Sequence, residues 1–296
     1  MSELLKAELA RIAHEIDSRF DALLTAPDDS RRILYDAMRH AAIGGGKRLR
    51  PLLVSGTARL FAVDEECALR AGLAVECVHV YSLIHDDLPA MDDDDMRRGK
   101  PTVHKAYDEA TAILAGDGFQ ALAFQLLADE ATHQDPFIRA ELVLALARAA
   151  GVDGMVGGQA MDMAAAVTMQ DMANVTRLQQ LKTGALIAFS VEAGAILGRL
   201  PAEGRNRLRG YAHDLGLAFQ IADDLLDAQG DPSKMGKAAG KDESSGKATF
   251  VGLLGLDRAR AQAHSLSEQA IGHLANFGRE ADLLRDIAAY TVNRDR

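Results

Sequence analysis

Residues 64–92, DEECALRAGLAVECVHVYSLIHDDLPAMD, decide how this chain is read. Asp64 is placed to cap a helix that runs through Glu76 and His79 to about Asp87, and Pro89 prevents its regular continuation. Asp86 and Asp87 then fall at the C-terminal end. The helix dipole already concentrates negative charge there, so the pair is doubly unfavourable without a cation. Asp92 adds a third carboxylate just beyond.

The arrangement recurs at 219–227, FQIADDLLD, on a second helix expected to start near Arg205 and to end before Gly230 and Pro232. Asp223 and Asp227 share a helix face, and such like-charge pairs cost roughly a few tenths of a kcal/mol even in solvent. Hard divalent cations take carboxylate oxygens and keep waters and substrate phosphates as further ligands. Two facing clusters therefore suit a multi-metal diphosphate site. For either cluster alone, a solvated acidic helix end is the plain alternative. Two long helices that each deliver acids to one end point to a central cavity lined by helices.

The rest of the chain fits an all-α fold, one domain over residues 1–296, with roughly ten or more helices around that cavity. Ala, Leu, Glu, Arg and Gln dominate segments of helical periodicity, and alternating β-branched runs are missing. Breaks fall at 27–30, 44–46, 61–64, 99–102, 134–136, 151–154, 200–204 and 230–246, the last short, charged and lid-like. A formal charge of −10 argues against a nucleic-acid surface. Cys67 and Cys77 cannot build a disulfide framework and fit a reducing compartment. Leu5, Leu9, Ile12, Ile16 and Phe20 recur in helical phase, which is an amphipathic helix and not a signal pattern. The best apolar run, 185–200, is broken by Glu192 short of the ~18 residues a membrane span needs. A cytoplasmic protein with no stable membrane insertion is expected.

Cations gather at loops and helix ends. GGGKRLRP (44–51) offers small residues for close backbone approach, then Lys47, Arg48 and Arg50 to grip a diphosphate. It is not a Walker A loop, because Ala41 and Arg48 stand where that pattern needs Gly and Ser or Thr. Arg97 and Arg98 follow the first acidic cluster. Asp92 to Asp95 do not make a calcium loop, since Arg97 occupies its Gly position and Val103 its Glu position.

The blocks GGKRLRP (45–51), HDDLPAMDDDDMRRG (85–99), GGQAMD (157–162), KTG (182–184), FQIADDLLD (219–227) and 236–247 stand in an order that resembles the trans-polyprenyl diphosphate synthase family, most nearly its bacterial farnesyl-forming branch. The resemblance implies an isoprenoid-synthase type fold and a homodimer, for which the apolar helices of 105–150 are candidates. It implies condensation of isopentenyl diphosphate with dimethylallyl or geranyl diphosphate to (2E,6E)-farnesyl diphosphate. The cofactor it implies is Mg²⁺, about three ions per active site, with Mn²⁺ as a substitute.

The same resemblance assigns Asp86, Asp87, Asp92, Asp223, Asp224 and Asp227 to metal. It gives Lys47, Arg50, His79 and Arg98 to isopentenyl diphosphate, and Arg97, Lys182, Thr183, Gln220, Lys237 and Lys247 to the allylic diphosphate. Lys182, Thr183, Gln220 and Arg97 would act by electrostatic stabilisation without a protein nucleophile. The side-chain oxygens of Thr183, Gln220 and Gln159 would face the carbocation. Tyr81 and Ser82, five and four residues before Asp86, are the expected chain-length residues, with Tyr81 as a floor that stops growth at fifteen carbons. Gln179 and Phe250 depart from the His and Tyr common in the family. A geranylgeranyl diphosphate synthase, a terpene cyclase and a catalytically silent helical partner stay open as alternatives.

Overall fold

The computed structural model describes residues 1–168, 171–229 and 249–294, the side chains of 165–168 excepted. Helices run in the order α1 (Glu3–Leu23), α2 (Arg32–Ala42), α3 (Leu49–Arg59), α4 (Glu65–Asp86), α5 (Val103–Ala106), α6 (Glu109–Ala128), α7 (Pro136–Ala150), α8 (Met155–Thr168) and α9 (Met172–Gln179). A π-helical segment (Gln180–Gly184) leads into α10 (Ala185–Leu197), followed by α11 (Asn206–Ala228), α12 (Phe250–Leu254), α13 (Leu256–His273) and α14 (Asp282–Val292). The fold is all-α. Among the described residues the one β element is a ribbon of β1 (Met96–Arg97) and β2 (Lys100–Pro101), antiparallel with Arg97 opposite Lys100.

The local chemistry of 64–92 sets α4. The Asp64 carboxylate accepts the Glu66 amide at the N-terminus, and Asp87 forms the C-cap with Pro89 two residues on. From Ala68 to Ile84 most of its side chains are buried, on all sides, because α4 packs among α3, α6 and α10. A helix apolar all round belongs in a core. Glycines set how closely its neighbours pack: a Cβ on Gly194 of α10 would lie 2.6 Å from the Ala58 amide nitrogen of α3. The main apolar cluster takes in side chains of α1 through α7, α10, α11, α13 and α14, and a smaller one joins Val175, Ala218, Ile221, Phe250 and Ala263.

By length and composition alone, α4 and α6 are each long and apolar enough to cross a membrane. This corrects the sequence expectation, which took 185–200 as the best candidate and found no sufficient run. Burial resolves the matter for α4, because 72% of its most apolar window lies inside the protein. Its apolar character serves the core.

Candidate active site

The basic loop is organised by its central cation. Arg48 has left-handed backbone (φ 50°) and a guanidinium that is 1% exposed, paired with Glu76 at 2.7 Å and Asp17 at 2.7 Å, and donating to the Ala42 carbonyl. With Arg48 consumed inside, Lys47 and Arg50 line a cavity of about 660 Å³ together with His79, Arg98, Phe219 and Arg294. The structure thus brings the four residues assigned to isopentenyl diphosphate around one space. Burial, then Arg50, Arg98, Arg48 and Arg97, holds the His79 imidazole well below its usual range, so it is neutral. Arg50 Nε is buried without a hydrogen-bond partner.

At the first acidic cluster the chain folds back over the end of α4. The Asp92 amide donates to the Asp86 carbonyl at 2.8 Å and the Asp94 amide to the Asp87 carbonyl at 3.2 Å. Arg97 Nε donates to both Asp87 oxygens, at 2.7 and 2.8 Å, and Arg97 Nη2 lies 2.6 Å from Oδ1. Arg98, left-handed at φ 53°, turns the other way: a Cβ on Gly46 would lie 2.6 Å from its Nη1. The adjacent arginines therefore face different partners. Arg97 is engaged by Asp87, which the sequence did not anticipate.

The GGQAMD and KTG blocks meet where α8 crosses the π-helical segment. A Cβ on Gly158 would lie 2.2 Å from the Lys182 backbone nitrogen, so glycine permits the crossing. Lys182 Nζ donates to Asp162 Oδ2 at 2.7 Å. Burial disfavours its charge, but the Asp86, Asp162 and Asp92 carboxylates outweigh that and leave its pKa raised. Both polar atoms of the Gln159 amide are buried without a partner. Thr183 and Gln220 are half-buried.

At the second cluster the three aspartates have separate surroundings. Arg294 Nη2 donates to Asp223 Oδ1 at 2.6 Å and to the Phe219 carbonyl at 3.0 Å, with its guanidinium 4.0 Å from the Phe219 ring centroid. Buried Asp224 accepts the Phe250 amide on Oδ2 at 2.8 Å and so anchors α12, beside the metal role expected of it. That bond uses the backbone, so Phe in place of Tyr at 250 leaves it intact. Asp227 is half-buried one turn on from Asp223. Arg294 was missed in sequence because a lone arginine far from every motif carries no spacing signal.

Tyr81 is 6% exposed, its ring edge-on to His85 with centroids 5.5 Å apart, and its buried hydroxyl meets Gln120. Ser82 Oγ donates to the His79 carbonyl at 2.8 Å. A further set of potential metal ligands, Asp93, Asp95 and His104, gathers one ligand atom each within 4.8 Å. Lys237, Lys247 and the stretch 230–246 lie outside the described residues. Carboxylate oxygens on two helix ends, cations already drawn to Asp223 and Asp87, and the orphaned Gln159 amide together fit a site for hard divalent cations and a diphosphate.

Residues 31–287 match the polyprenyl synthetase family. The chain is 43% identical over 271 residues to the farnesyl diphosphate synthase of Escherichia coli, covering 89% of this chain and 90% of that one. An apo crystal structure described as an FPP/GFPP synthase from Zymomonas mobilis superposes with a TM-score of 0.91 at 58% identity, over 98% of this chain and 100% of that one. A geranyltransferase from Helicobacter pylori, complexed with magnesium and isoprenyl diphosphate, gives a TM-score of 0.81 at 32% identity over 97% and 96%.

Proposed function

This chain belongs to the polyprenyl synthetase family, and we propose that it is a prenyltransferase that condenses isopentenyl diphosphate with geranyl or dimethylallyl diphosphate to make (2E,6E)-farnesyl diphosphate. The observation that carries the reading is the convergence of Lys47, Arg50, His79 and Arg98 on one cavity, with Lys182 held near Asp86 and Asp92. Bound Mg²⁺, about three ions and replaceable by Mn²⁺, supplies neutralisation of the allylic diphosphate as it departs. Asp86, Asp92, Asp223 and Asp227 would hold it, with Asp87 and Asp224 contributing once released from Arg97 and the Phe250 amide.

The protein's own groups do the rest. Lys47, Arg50 and Arg98 receive the isopentenyl diphosphate, and its negative charge offsets the repulsion that the nearby arginines add to burial in lowering the His79 pKa. Lys182, with Arg97, Lys237 and Lys247, receives the allylic diphosphate. The carbonyl oxygens of Gln159 and Gln220 and the Thr183 hydroxyl lower the energy of the developing cation without trapping it, as weak dipoles do. Surrounding apolar walls exclude water.

Residues 1–296 are read as one polyprenyl synthase domain that works as a cytoplasmic homodimer. Exposed Ile113, Leu114, Phe137 and Leu144 on α6 and α7 support an interface there. The test is incubation with radiolabelled isopentenyl diphosphate, geranyl diphosphate and Mg²⁺, then chromatography of the dephosphorylated product. A fifteen-carbon alcohol is expected. A twenty-carbon product would mean a geranylgeranyl synthase, a cyclic hydrocarbon a cyclase, and no product a silent subunit.

A further inference from the structure

Gln180, the first residue of the π-helical segment, is tied to α11 by a chain of side chains that no part of the reaction described above uses. Its Nε2 lies 2.9 Å from His213 Nε2, His213 Nδ1 lies 3.0 Å from Asp214 Oδ1, and Asp214 Oδ2 lies 3.1 Å from His273 Nε2 on α13. With the Gln180 NH₂ turned to the ring, His213 Nε2 accepts and its hydrogen sits on Nδ1, facing the carboxylate. Asp214 is 8% exposed. A buried carboxylate flanked by two ring nitrogens keeps both rings oriented. Gly210 leaves room for the second ring, since a Cβ there would lie 2.5 Å from His273 Cε1. The segment touches α11 a second time where a Cβ on Gly216 would lie 3.4 Å from Gly184 Cα.

We propose that His213, Asp214 and His273 are positioning residues that hold the π-helical segment in the register from which Lys182 and Thr183 meet the allylic diphosphate. A π turn carries one residue more than an α-helix accommodates and is held only where its surroundings stabilise it. Gln180 lies two residues before Lys182, so a loss of the tie at Gln180 displaces the ammonium that Asp162 receives at 2.7 Å. The inference rests on the reading of Lys182 as an allylic-diphosphate ligand.

The experiment measures steady-state kinetics, melting temperature and amide exchange of 180–184 in His213→Ala, His213→Gln, Gly210→Ala and Lys182→Ala. Small misplacements in such sites are costly, so His213→Ala should raise the KM for geranyl diphosphate about tenfold and lower kcat, with the KM for isopentenyl diphosphate and the melting temperature little changed. Exchange at 180–184 should quicken. His213→Gln keeps an acceptor for Gln180 and should recover most of the loss, while Gly210→Ala, which pushes on His273, should reproduce it. In the unmodified protein, ¹⁵N spectra should find His213 bare at Nε2. An unchanged KM for geranyl diphosphate with unchanged exchange in His213→Ala overturns the relay. So does a loss that affects both substrates equally, follows the melting temperature and is not relieved by Gln. Lys182→Ala separates the two ideas: if it leaves the KM for geranyl diphosphate unaltered, the allylic assignment fails, and the exchange data alone still decide whether His213 holds the segment.

Discussion

At the scale of single residues, the adjacent arginines make the sharpest contrast. Arg97 lies in a fork on Asp87, and Arg98 points back at the 44–48 loop and lines the cavity with Lys47, Arg50 and His79. Arg98→Ala should therefore raise mainly the KM for isopentenyl diphosphate, and Arg97→Ala should impair use of the allylic substrate. Matching kinetic profiles for the two variants would contradict the division. Tyr81 offers a second test. Its buried hydroxyl meets only Gln120, so the ring does most of the packing, and Tyr81→Phe should cost little stability and keep the fifteen-carbon product. Tyr81→Ala should lengthen the product to twenty carbons or more on chromatography. An unchanged length distribution would remove Tyr81 from the floor. These positions were singled out in sequence through the family resemblance, whose motifs fix their offsets from the first acidic cluster. Arg294 was not, and neither was the commitment of Asp224 to α12, because both depend on contacts between segments remote in sequence.

At the scale of elements, the start of α3 depends on a buried ion pair. Arg48 and Glu76 are 1% and 2% exposed in their side chains, and removing Arg48 strips the buried Glu76 carboxylate of its ion-pair partner. Arg48→Met should destabilise by about 3–5 kcal/mol in urea unfolding, and the double variant Arg48→Met, Glu76→Leu should recover much of that. A full loss in the double variant would show that the pair does more than neutralise itself, for instance by fixing the left-handed turn at Arg48. Sequence periodicity located α4 to within a residue or two at both ends, because a capping aspartate and a proline bracket it. It did not reveal the π-helical segment, since the eight residues of α9 before it are too few to fix a phase against which one added residue would show. Nor did it expose the membrane-like hydropathy of α4, which only burial against α3, α6 and α10 explains.

At the scale of the whole molecule, the two acidic helix ends and the cations around them make the empty site electrostatically expensive. Mg²⁺ with a non-reactive allylic diphosphate analogue should raise the melting temperature, by about 2.7 kcal/mol of stabilisation at a hundredfold excess over Kd, and chelator should reverse the rise. Asp86→Ala and Asp223→Ala should abolish the shift and cut turnover by orders of magnitude while helix content stays constant. A retained shift in both variants would place the metal elsewhere. The all-α architecture and central cavity were legible from periodicity and paired acids. The separate surroundings of the second-cluster aspartates were not, because sequence carries no record of which neighbour reaches a carboxylate first.

The π-helical segment also changes what a one-residue gap means when relatives of this chain are aligned. Its extra residue is taken up within one wide turn of the rod from Met172 to Leu197, so the parts before and after it keep the relative facing of an α-helix one residue shorter. Removing Leu181 would let that rod close into continuous α-helix with both flanks facing as before, and would change how Lys182 is presented within it. The shortened protein should keep its circular dichroism and lose its catalysis. An insertion of this kind is absorbed where it occurs, and a gap placed there by alignment marks a differently presented lysine, not a trimmed loop.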